Sequence, residues 1–254
     1  MKSLIFAKRN TKEILRDPMS YIFILGFPVI LLIVFQVISN SLPENAPKIF
    51  SLSFLSSGIA VFSFSFVMLY MSLLVSGDRT TTFLSRLYIS PMKSTDFIIG
   101  YTFPGMAICI SQLIICYITV TLLHFITGDQ IDFLNLIITI PVFIPVMLLF
   151  VALGVISGSL FSSKSAPGIC SVVINVAGFL GGVWMPVNEM GAYETVCEFL
   201  PFYPAVQIGR SITYGNDITG GKIPIYVIIS IIYILVFFIL SIIIFNIKTK
   251  QDNK

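Results

Sequence analysis

Long apolar runs separated by short polar segments dominate this sequence. Six runs are long enough to cross about 30 Å of hydrocarbon at about 1.5 Å of helix rise per residue. They lie near 19–39, 50–76, 97–123, 135–161, 167–186 and 223–246. The fifth run is short and interrupted by glycine, whereas the runs longer than about 25 residues imply tilt or extension beyond the bilayer. The pattern predicts six transmembrane helices.

The segment before the first run has the pattern of an amphipathic helix. Over 2–16, one face carries Leu4, Ala7, Ile14 and Leu15, and the other carries Lys8, Arg9, Lys12, Glu13 and Arg16. We expect 1–18 to lie in the membrane interface, with the basic residues Lys8, Arg9, Lys12 and Arg16 toward anionic lipid headgroups. Nucleic-acid binding by this basic face is not expected, because an uncharged span follows at once.

A short polar, basic segment, GDRTTTFLSRLYISP, occupies 77–91 between the second and third runs. Asp78 is of a type that caps a helix N-terminus. The side chains of Leu84, Leu87 and Tyr88 then share one helical face, and Arg79 and Arg86 lie one heptad apart. The pattern predicts an exposed helix of two to three turns, ended by Pro91, that a partner could contact. An ordinary solvated loop remains an alternative.

A second irregular region, 187–222, precedes the last run. Apolar residues form a stripe at Tyr193, Val196, Cys197 and Leu200, and Glu194 and Glu198 are spaced i,i+4 on the other side. Pro201 and Pro204 interrupt this pattern before helical spacing resumes over 205–214. We expect a re-entrant pair of short helices in the outer leaflet. Irregular backbone at that depth must be shielded by protein.

Composition supports the membrane assignment. The chain is 56% hydrophobic and 11% charged, with a mean hydropathy of +0.98, whereas soluble domains carry about 25% charged residues. We therefore expect one all-α integral membrane domain over 1–254.

The distribution of Lys and Arg predicts the orientation. With the N-terminus inside, twelve of these residues fall in inner segments and three, Lys48, Arg210 and Lys222, in outer ones. Basic residues favour the cytoplasmic side. The chain is therefore predicted to lie in the cell membrane with both termini cytoplasmic.

Candidate catalytic groups are few. No span centre carries Asp, Glu, Lys or Arg, which argues against a proton relay or an ion-coupled carrier. The single His124, at the outer end of a span, cannot form a metal site by itself. The sequence lacks the GxxxxGK[ST] motif of P-loop ATPases. Gly154 and Gly158 are spaced for close contact between helices. We predict no catalytic residue, no metal site and no cofactor in this chain.

Three polar residues within spans are candidates for a transport path. Asn175 is expected to be buried in the fifth span, and Ser63 and Ser65 belong to a serine-rich second span. Each could line a path or make a hydrogen bond in helix packing, and the sequence leaves both readings open.

Three stretches together resemble the ABC-2 type transporter permeases. The first is RNTKEILRDP at 9–18, followed by Phe27-Pro28. The second is the 77–91 segment, in which Asp78, Arg79, Leu84, Arg86, Leu87, Ser90 and Pro91 fit the family's loop after the second span. The third is GVWMP at 182–186, with Leu200-Pro201, Arg210 and Gly215. Thr82 and Ser85 stand where that loop usually has Gly and Glu.

The resemblance implies a permease subunit of an exporter, with cargo such as a drug, antibiotic, peptide or lipid. It implies that two copies, or this chain and a paralogue, assemble with two separate ABC ATPase subunits, which bind ATP and Mg²⁺. The 77–91 segment would be the coupling helix that contacts the ATPase through Asp78, Arg79, Phe83, Leu84, Arg86, Leu87 and Tyr88. The alternative is a non-transporting membrane sensor or immunity protein that binds a ligand through 187–222.

Overall fold

The described residues fold into helices joined by turns. A computed structural model describes residues 2–43, 50–81, 94–129, 131–185, 187, 190–214 and 219–252. Over these residues it contains nine helices: α1 Lys2–Leu15, α2 Pro18–Ser41, α3 Leu52–Thr80, α4 Ser94–Thr127, α5 Phe133–Leu160, α6 Ala166–Leu180, α7 Ala192–Phe199, α8 Phe202–Thr213 and α9 Ile223–Asp252.

Five of these helices, α2, α3, α4, α5 and α9, are long and apolar enough to cross a membrane. Within the described ranges, the protein is therefore an all-α, multi-pass integral membrane protein. The fifth predicted span corresponds to α6, an apolar helix of 15 residues. At about 1.5 Å per residue α6 is only about 22 Å long, because the chain turns at Gly181 and Gly182, where the predicted span continued to 186.

The central helix of the bundle is α3, which packs against α2, α4, α5, α6 and α8. Its contact with α5 is very close at two glycines. A methyl group added to Gly154 would lie 2.6 Å from the carbonyl oxygen of Met68, and one added to Gly158 would lie 2.5 Å from that of Ser72. The predicted role of these glycines in helix packing is confirmed, since no larger residue fits there without moving the backbone.

Two short helices, α7 and α8, occupy the region predicted to be re-entrant. The first nine residues of α8, 202–210, are all buried, and the helix lies against α3, α5 and α9. The predicted protein shield around this region is therefore present for α8.

The two short helices at opposite ends of the bundle define its directions. α1 packs on the beginning of α4, and α8 packs on the beginning of α3. We call these the α1 end and the α8 end. Since α3 begins at the α8 end and finishes at the α1 end, it connects both.

Candidate functional site

A buried carboxylate organises the α1 end. Asp78 lies in the last turn of α3, and its side chain is 5% exposed. Its Oδ1 accepts a hydrogen bond from Nη2 of Arg9 at 2.9 Å. Its Oδ2 accepts from Nη1 of Arg9 and from the hydroxyl of Tyr101, each at 2.8 Å. These three residues, which we call the Asp78 cluster, join α1, α3 and α4 at one point.

The first turns of α4 form the surface on which α1 lies. The side-chain amide of Asn10 is buried and donates to the carbonyl of Gly100 at 3.2 Å. The ring of Phe6 makes edge contacts with the rings of Phe97 and Tyr101, with centroids 5.4 and 5.0 Å away. A methyl group on Gly100 would lie 2.3 Å from Cδ1 of Phe6. The glycine therefore permits the close approach of α1 that brings Arg9 to Asp78.

The charges within α1 reinforce this geometry. Arg9 also pairs with Glu13 at 2.7 Å, one turn further along the helix. Burial alone would lower the pKa of Arg9, but its hydrogen bond to Asp78 and the charges of Asp78 and Glu13 outweigh that effect and raise it. Burial raises the pKa of Glu13, an effect that the charge of Arg9 opposes. The two-point contact of a guanidinium with a carboxylate fixes orientation as well as distance.

Arg79, the next residue, binds a different helix. Its Nη1 donates to the carbonyl of Gly158 at 3.3 Å and to the carbonyl of Ser159. Both carbonyls belong to the last turn of α5, whose final carbonyls have no partner within the helix. A cation also suits the negative end of the helix dipole. Asp78 and Arg79 together attach the end of α3 to α1, α4 and α5.

These contacts correct one prediction for Asp78: it does not cap a new helix, because α3 continues through it to Thr80. Arg9 and Tyr101 surround its carboxylate, and its predicted contact with an ATPase subunit stays a prediction. Arg79 is half-buried and faces α5. The remaining predicted contact residues, Phe83, Leu84, Arg86, Leu87 and Tyr88, lie outside the described residues, and their role stays a prediction.

The basic residues of the predicted interfacial helix divide into two sets. Lys8, Lys12 and Arg16 are exposed and border a cavity of about 510 Å³ along α1. Arg9 borders the same cavity, but its guanidinium turns inward to Asp78. Arg9 therefore differs from the other three basic residues, because a buried carboxylate binds its guanidinium, and the contact of this helix with lipid headgroups stays a prediction.

The three polar span residues lie in different environments. Ser63 and Ser65 are buried in α3 and donate to carbonyls one turn back, those of Ala60 and Phe62. Asn175 is exposed on α6, and its amide donates to the carbonyl of Ser171 at 2.8 Å. The expected burial of Asn175 is wrong for the single chain, because it lies on the outward side of a short helix.

Arg210 of α8 belongs to the third stretch that resembles the family, but the sequence did not predict its burial. The sequence pattern placed it among the outer basic residues. In the structure it is only 1% exposed and has the largest fully buried side chain among the described residues. Its Nε donates to the carbonyl of Phe54 and its Nη2 to that of Val183, both at 3.2 Å. The guanidinium carbon lies 3.6 Å from the centroid of the Phe54 ring, a cation–π contact. The resemblance and the apolar residues around it in α8 were the signals that the sequence offered.

Gly58 of α3 provides the space for this buried cation. A methyl group added there would lie 3.1 Å from Nη2 of Arg210. One turn further along α8, the hydroxyl of Thr213 donates to the carbonyl of Ser53 at 3.0 Å and pairs with the hydroxyl of Ser57 at 3.0 Å. The beginning of α3 is thus bound to α8 through charge, ring and hydroxyl contacts.

A third polar cluster fastens α7 to the beginning of α9. Oε1 of Glu198 accepts from Nζ of Lys222 at 2.7 Å and from the hydroxyl of Tyr226 at 2.9 Å. Burial alone would raise the pKa of Glu198, but these two hydrogen bonds and the Lys222 charge lower it. The hydrogen bond to Glu198 raises the pKa of Lys222.

Within the described ranges the structure shows neither a candidate metal site nor a disulfide bond. They contain no group of three or more His, Cys, Asp or Glu side chains that could hold a metal ion. The four cysteines are buried as free thiols.

A bundle of five long apolar helices, with short helices fastened at both ends, defines a polytopic membrane protein whose polar clusters connect helices. The family model of the ABC-2 type transporter matches residues 2–214, most of the chain. The chain belongs to this family, and it is a membrane permease subunit of an ABC transporter. Membership implies association with ABC ATPase subunits, which carry the ATPase site. No curated protein was found to match the chain.

Proposed function

We propose that this chain is the permease subunit of an ATP-driven exporter that moves an amphiphilic substrate outward. Two permease copies, or this chain and a paralogue, pair with two ATPase subunits that bind ATP and Mg²⁺. Both termini and the α1 end face the cytoplasm. The excess of basic residues on that side supports this orientation.

The observation that carries the proposal is the Asp78 cluster. Residues 81–93 connect α3 to α4, and Asp78 and Tyr101, near either end of this connection, share a hydrogen bond. Arg9 brings α1 into the same contact. A partner that displaces this connection therefore acts on three helices together, which suits a machine driven by a separate ATPase.

We assign the ATPase contact to the apolar face of Leu84, Leu87 and Tyr88, flanked by Arg86. The exposed Lys8, Lys12 and Arg16 on α1 lie at the same end and favour acidic groups, either of the ATPase or of lipid headgroups.

The amphiphilic substrate class rests on the charge of the helices. Neither Asp, Glu, Lys nor Arg lies at the centre of the five long helices, whereas their apolar and hydroxyl-bearing side chains are many. A small ion would require compensating charge in such a path. Tight selectivity for a small ion in a transport assay would contradict this assignment.

A pull-down in mild detergent tests the proposal. We expect a P-loop ATPase to copurify with the wild-type chain, and Arg86→Glu to reduce its recovery about tenfold by placing an acidic residue in the contact. Lys164→Glu, the same change of charge in the turn between α5 and α6, is the matched control and should retain the ATPase.

If no ATPase copurifies with the wild-type chain, the proposed exporter has no source of energy. The sensor or immunity function would then be favoured. Equal recovery with Arg86→Glu and wild type would retain the transporter but contradict the assigned contact.

A further inference from the structure

A polar cavity at the α8 end meets an apolar groove on the outer side of the bundle. The cavity, of about 670 Å³, is lined by residues from α3, α4, α5 and α8 and from the turn before α5, among them His124, Asp132, Phe133 and Tyr214. The groove, of about 310 Å³, runs between α4 and α5 and is lined by residues that include Ile118, Phe133 and Ile137. Phe133 borders both spaces.

The chemistry of the cavity favours a cationic group. Among the described residues that line it, Asp132 supplies a carboxylate, and neither Lys nor Arg is present. Asp132 is exposed and accepts a hydrogen bond from the backbone N–H of Leu134, which leaves most of its acceptor capacity available. The rings of His124, Phe133 and Tyr214 border the same space. Aromatic faces beside a carboxylate are the elements that bind ammonium groups.

Arg210, the nearest buried cation on α8, does not line this cavity. Its guanidinium is directed to the carbonyls of Phe54 and Val183 and is covered by the Phe54 ring. Among the described residues that line the cavity, the carboxylate of Asp132 is therefore the formal charge that a ligand meets.

The chemistry of the groove favours an alkyl chain. Its walls include Ile114, Ile118 and Leu122 on α4 and Ile137 on α5, all exposed on the surface of the single chain. From Ile114 to Leu122 the groove extends about 12 Å along α4. Tyr117 also lines the groove, but its hydroxyl is hydrogen-bonded to the buried hydroxyl of Thr139 and so needs no partner from an alkyl chain.

We propose that the cavity and groove form one site for a cationic amphiphile, with its ammonium head beside Asp132 and its alkyl chain between α4 and α5. The inference names the substrate class of the exporter, and as a substrate site it rests on the proposed function. The site lies at the α8 end, opposite the proposed ATPase contact. It is therefore placed to hold a molecule on the side to which export delivers it.

In this site the alkyl chain of the ligand determines how the ligand is oriented, and it contributes little to selectivity. Lipid tails and the groove are similarly apolar, so transfer between them has little driving force. The head therefore provides the discrimination between ligands. The test accordingly compares head charge at constant chain length.

The experiment measures binding of radiolabelled dodecyltrimethylammonium to the full chain in lipid nanodiscs, with empty nanodiscs subtracted. We expect unlabelled dodecyltrimethylammonium to displace the probe, and dodecyl sulfate and dodecylphosphocholine to be at least about tenfold weaker. Asp132→Asn should weaken binding about three- to tenfold, because the amide keeps the acceptor for Leu134 but loses the charge. Asp129→Asn, the same change three residues earlier at a side chain bonded to Gln36, should stay within about twofold.

A second pair of variants tests the groove. Ile137→Trp fills the space between α4 and α5 and should reduce binding about tenfold. Ile138→Trp adds the same bulk at the neighbouring exposed position, which does not line the groove, and should leave binding unchanged.

Equal displacement by the three head groups would overturn the inference, as would equal effects of Asp132→Asn and Asp129→Asn or of the two tryptophan variants. Because binding is measured without an ATPase, such a failure leaves the proposed function intact. Conversely, if the proposed function is wrong, the pull-down recovers no ATPase while the binding of dodecyltrimethylammonium in nanodiscs is unchanged.

Discussion

Arg210 shows how a single residue can be misassigned by composition. It was counted with the outer basic residues, yet its guanidinium is buried against one ring and two backbone carbonyls. Within the described residues, no carboxylate pairs with it. Burial of a cation without an ion-pair partner is costly, so planar, multipoint contact is what makes the position tolerable.

We predict that Arg210→Lys destabilises the protein more than Arg210→Met, by about 1–3 kcal/mol. Lysine keeps the charge and its desolvation cost but loses the planar contact with Phe54, whereas methionine removes the charge and keeps much of the volume. The difference is measured by heating each variant in detergent and monitoring the remaining folded protein by size-exclusion chromatography. The same two substitutions at the exposed Arg16 should be indistinguishable. A lysine variant as stable as the methionine variant would contradict the stated role of the guanidinium.

The lowered pKa of Glu198 leads us to predict that the stability of the protein depends on pH. Because its pKa is lowered in the folded state, its contribution is present above the usual glutamate pKa and is lost as pH falls through the folded value. A double-mutant cycle of Glu198→Gln and Lys222→Gln should give a coupling of under about 1 kcal/mol at pH 7, since the pair is partly exposed. The coupling should vanish well below pH 4.

A cycle that gives the same coupling at pH 7 and at the acid limit would show that Glu198 and Lys222 interact by something other than charge. Tyr226→Phe provides the comparison, because it removes one hydrogen bond to Glu198 and keeps the ion pair.

At the scale of elements, the contact between α3 and α5 tolerates little added side-chain volume. We predict that Gly158→Ala destabilises the protein by about 1–3 kcal/mol, because the added methyl group would meet the Ser72 carbonyl oxygen at 2.5 Å. Gly26→Ala in α2 is the matched control, since a methyl group there meets nothing within 4 Å. It should be neutral or slightly stabilising, as alanine favours helix. Unfolding temperatures of the two variants decide the point.

The existence of the long helices could be predicted because apolar length alone determines which segments suit the hydrocarbon. Their ends could not be predicted in the same way. α3 extends past the predicted end at 76 through Asp78, because Arg9 and Tyr101, distant in sequence, satisfy its carboxylate. α6 is shorter than its apolar run because the chain turns at Gly182, whose φ is +64°.

The candidate site was predictable only in part, for the same reason. Sequence spacing identified Asp78 and Arg79 as important polar residues, but it assigned them to a partner subunit. Within the described chain their side chains bind α1, α4 and α5, and a periodic pattern within one segment contains no information about such contacts. Arg210 was hidden because its neighbours in α8 face other helices rather than water.

At the scale of the whole molecule, the Asp78 cluster predicts a separation of assembly from transport. We expect Asp78→Asn to cost about 1–3 kcal/mol of stability, as a charged hydrogen-bond network is lost. The purified complex should keep its ATPase subunits but transport several-fold less substrate per ATP hydrolysed, because α1, α3 and α4 no longer move together. Transport and hydrolysis by proteoliposomes provide the measurement.

Tyr101→Phe is a milder test of the same cluster, since it removes one hydrogen bond and keeps the Arg9–Asp78 pair. It should lie between wild type and Asp78→Asn. An Asp78→Asn complex with a normal ratio of transport to hydrolysis would show that the cluster serves stability alone.

The position of α3 has a mechanical consequence. This helix of 29 residues is about 43 Å long and is gripped at one end by α8 and at the other by α1, α4 and α5. Two glycines of α5 hold it tightly at Met68 and Ser72, on the α1 side of its midpoint, and this contact acts as a fulcrum. A tilt of about 5° about that point moves the α8 end of such a rod by about 2 Å and the α1 end by about 1 Å in the opposite direction. The helix can therefore act as a lever that reverses the direction of a push applied at the α1 end.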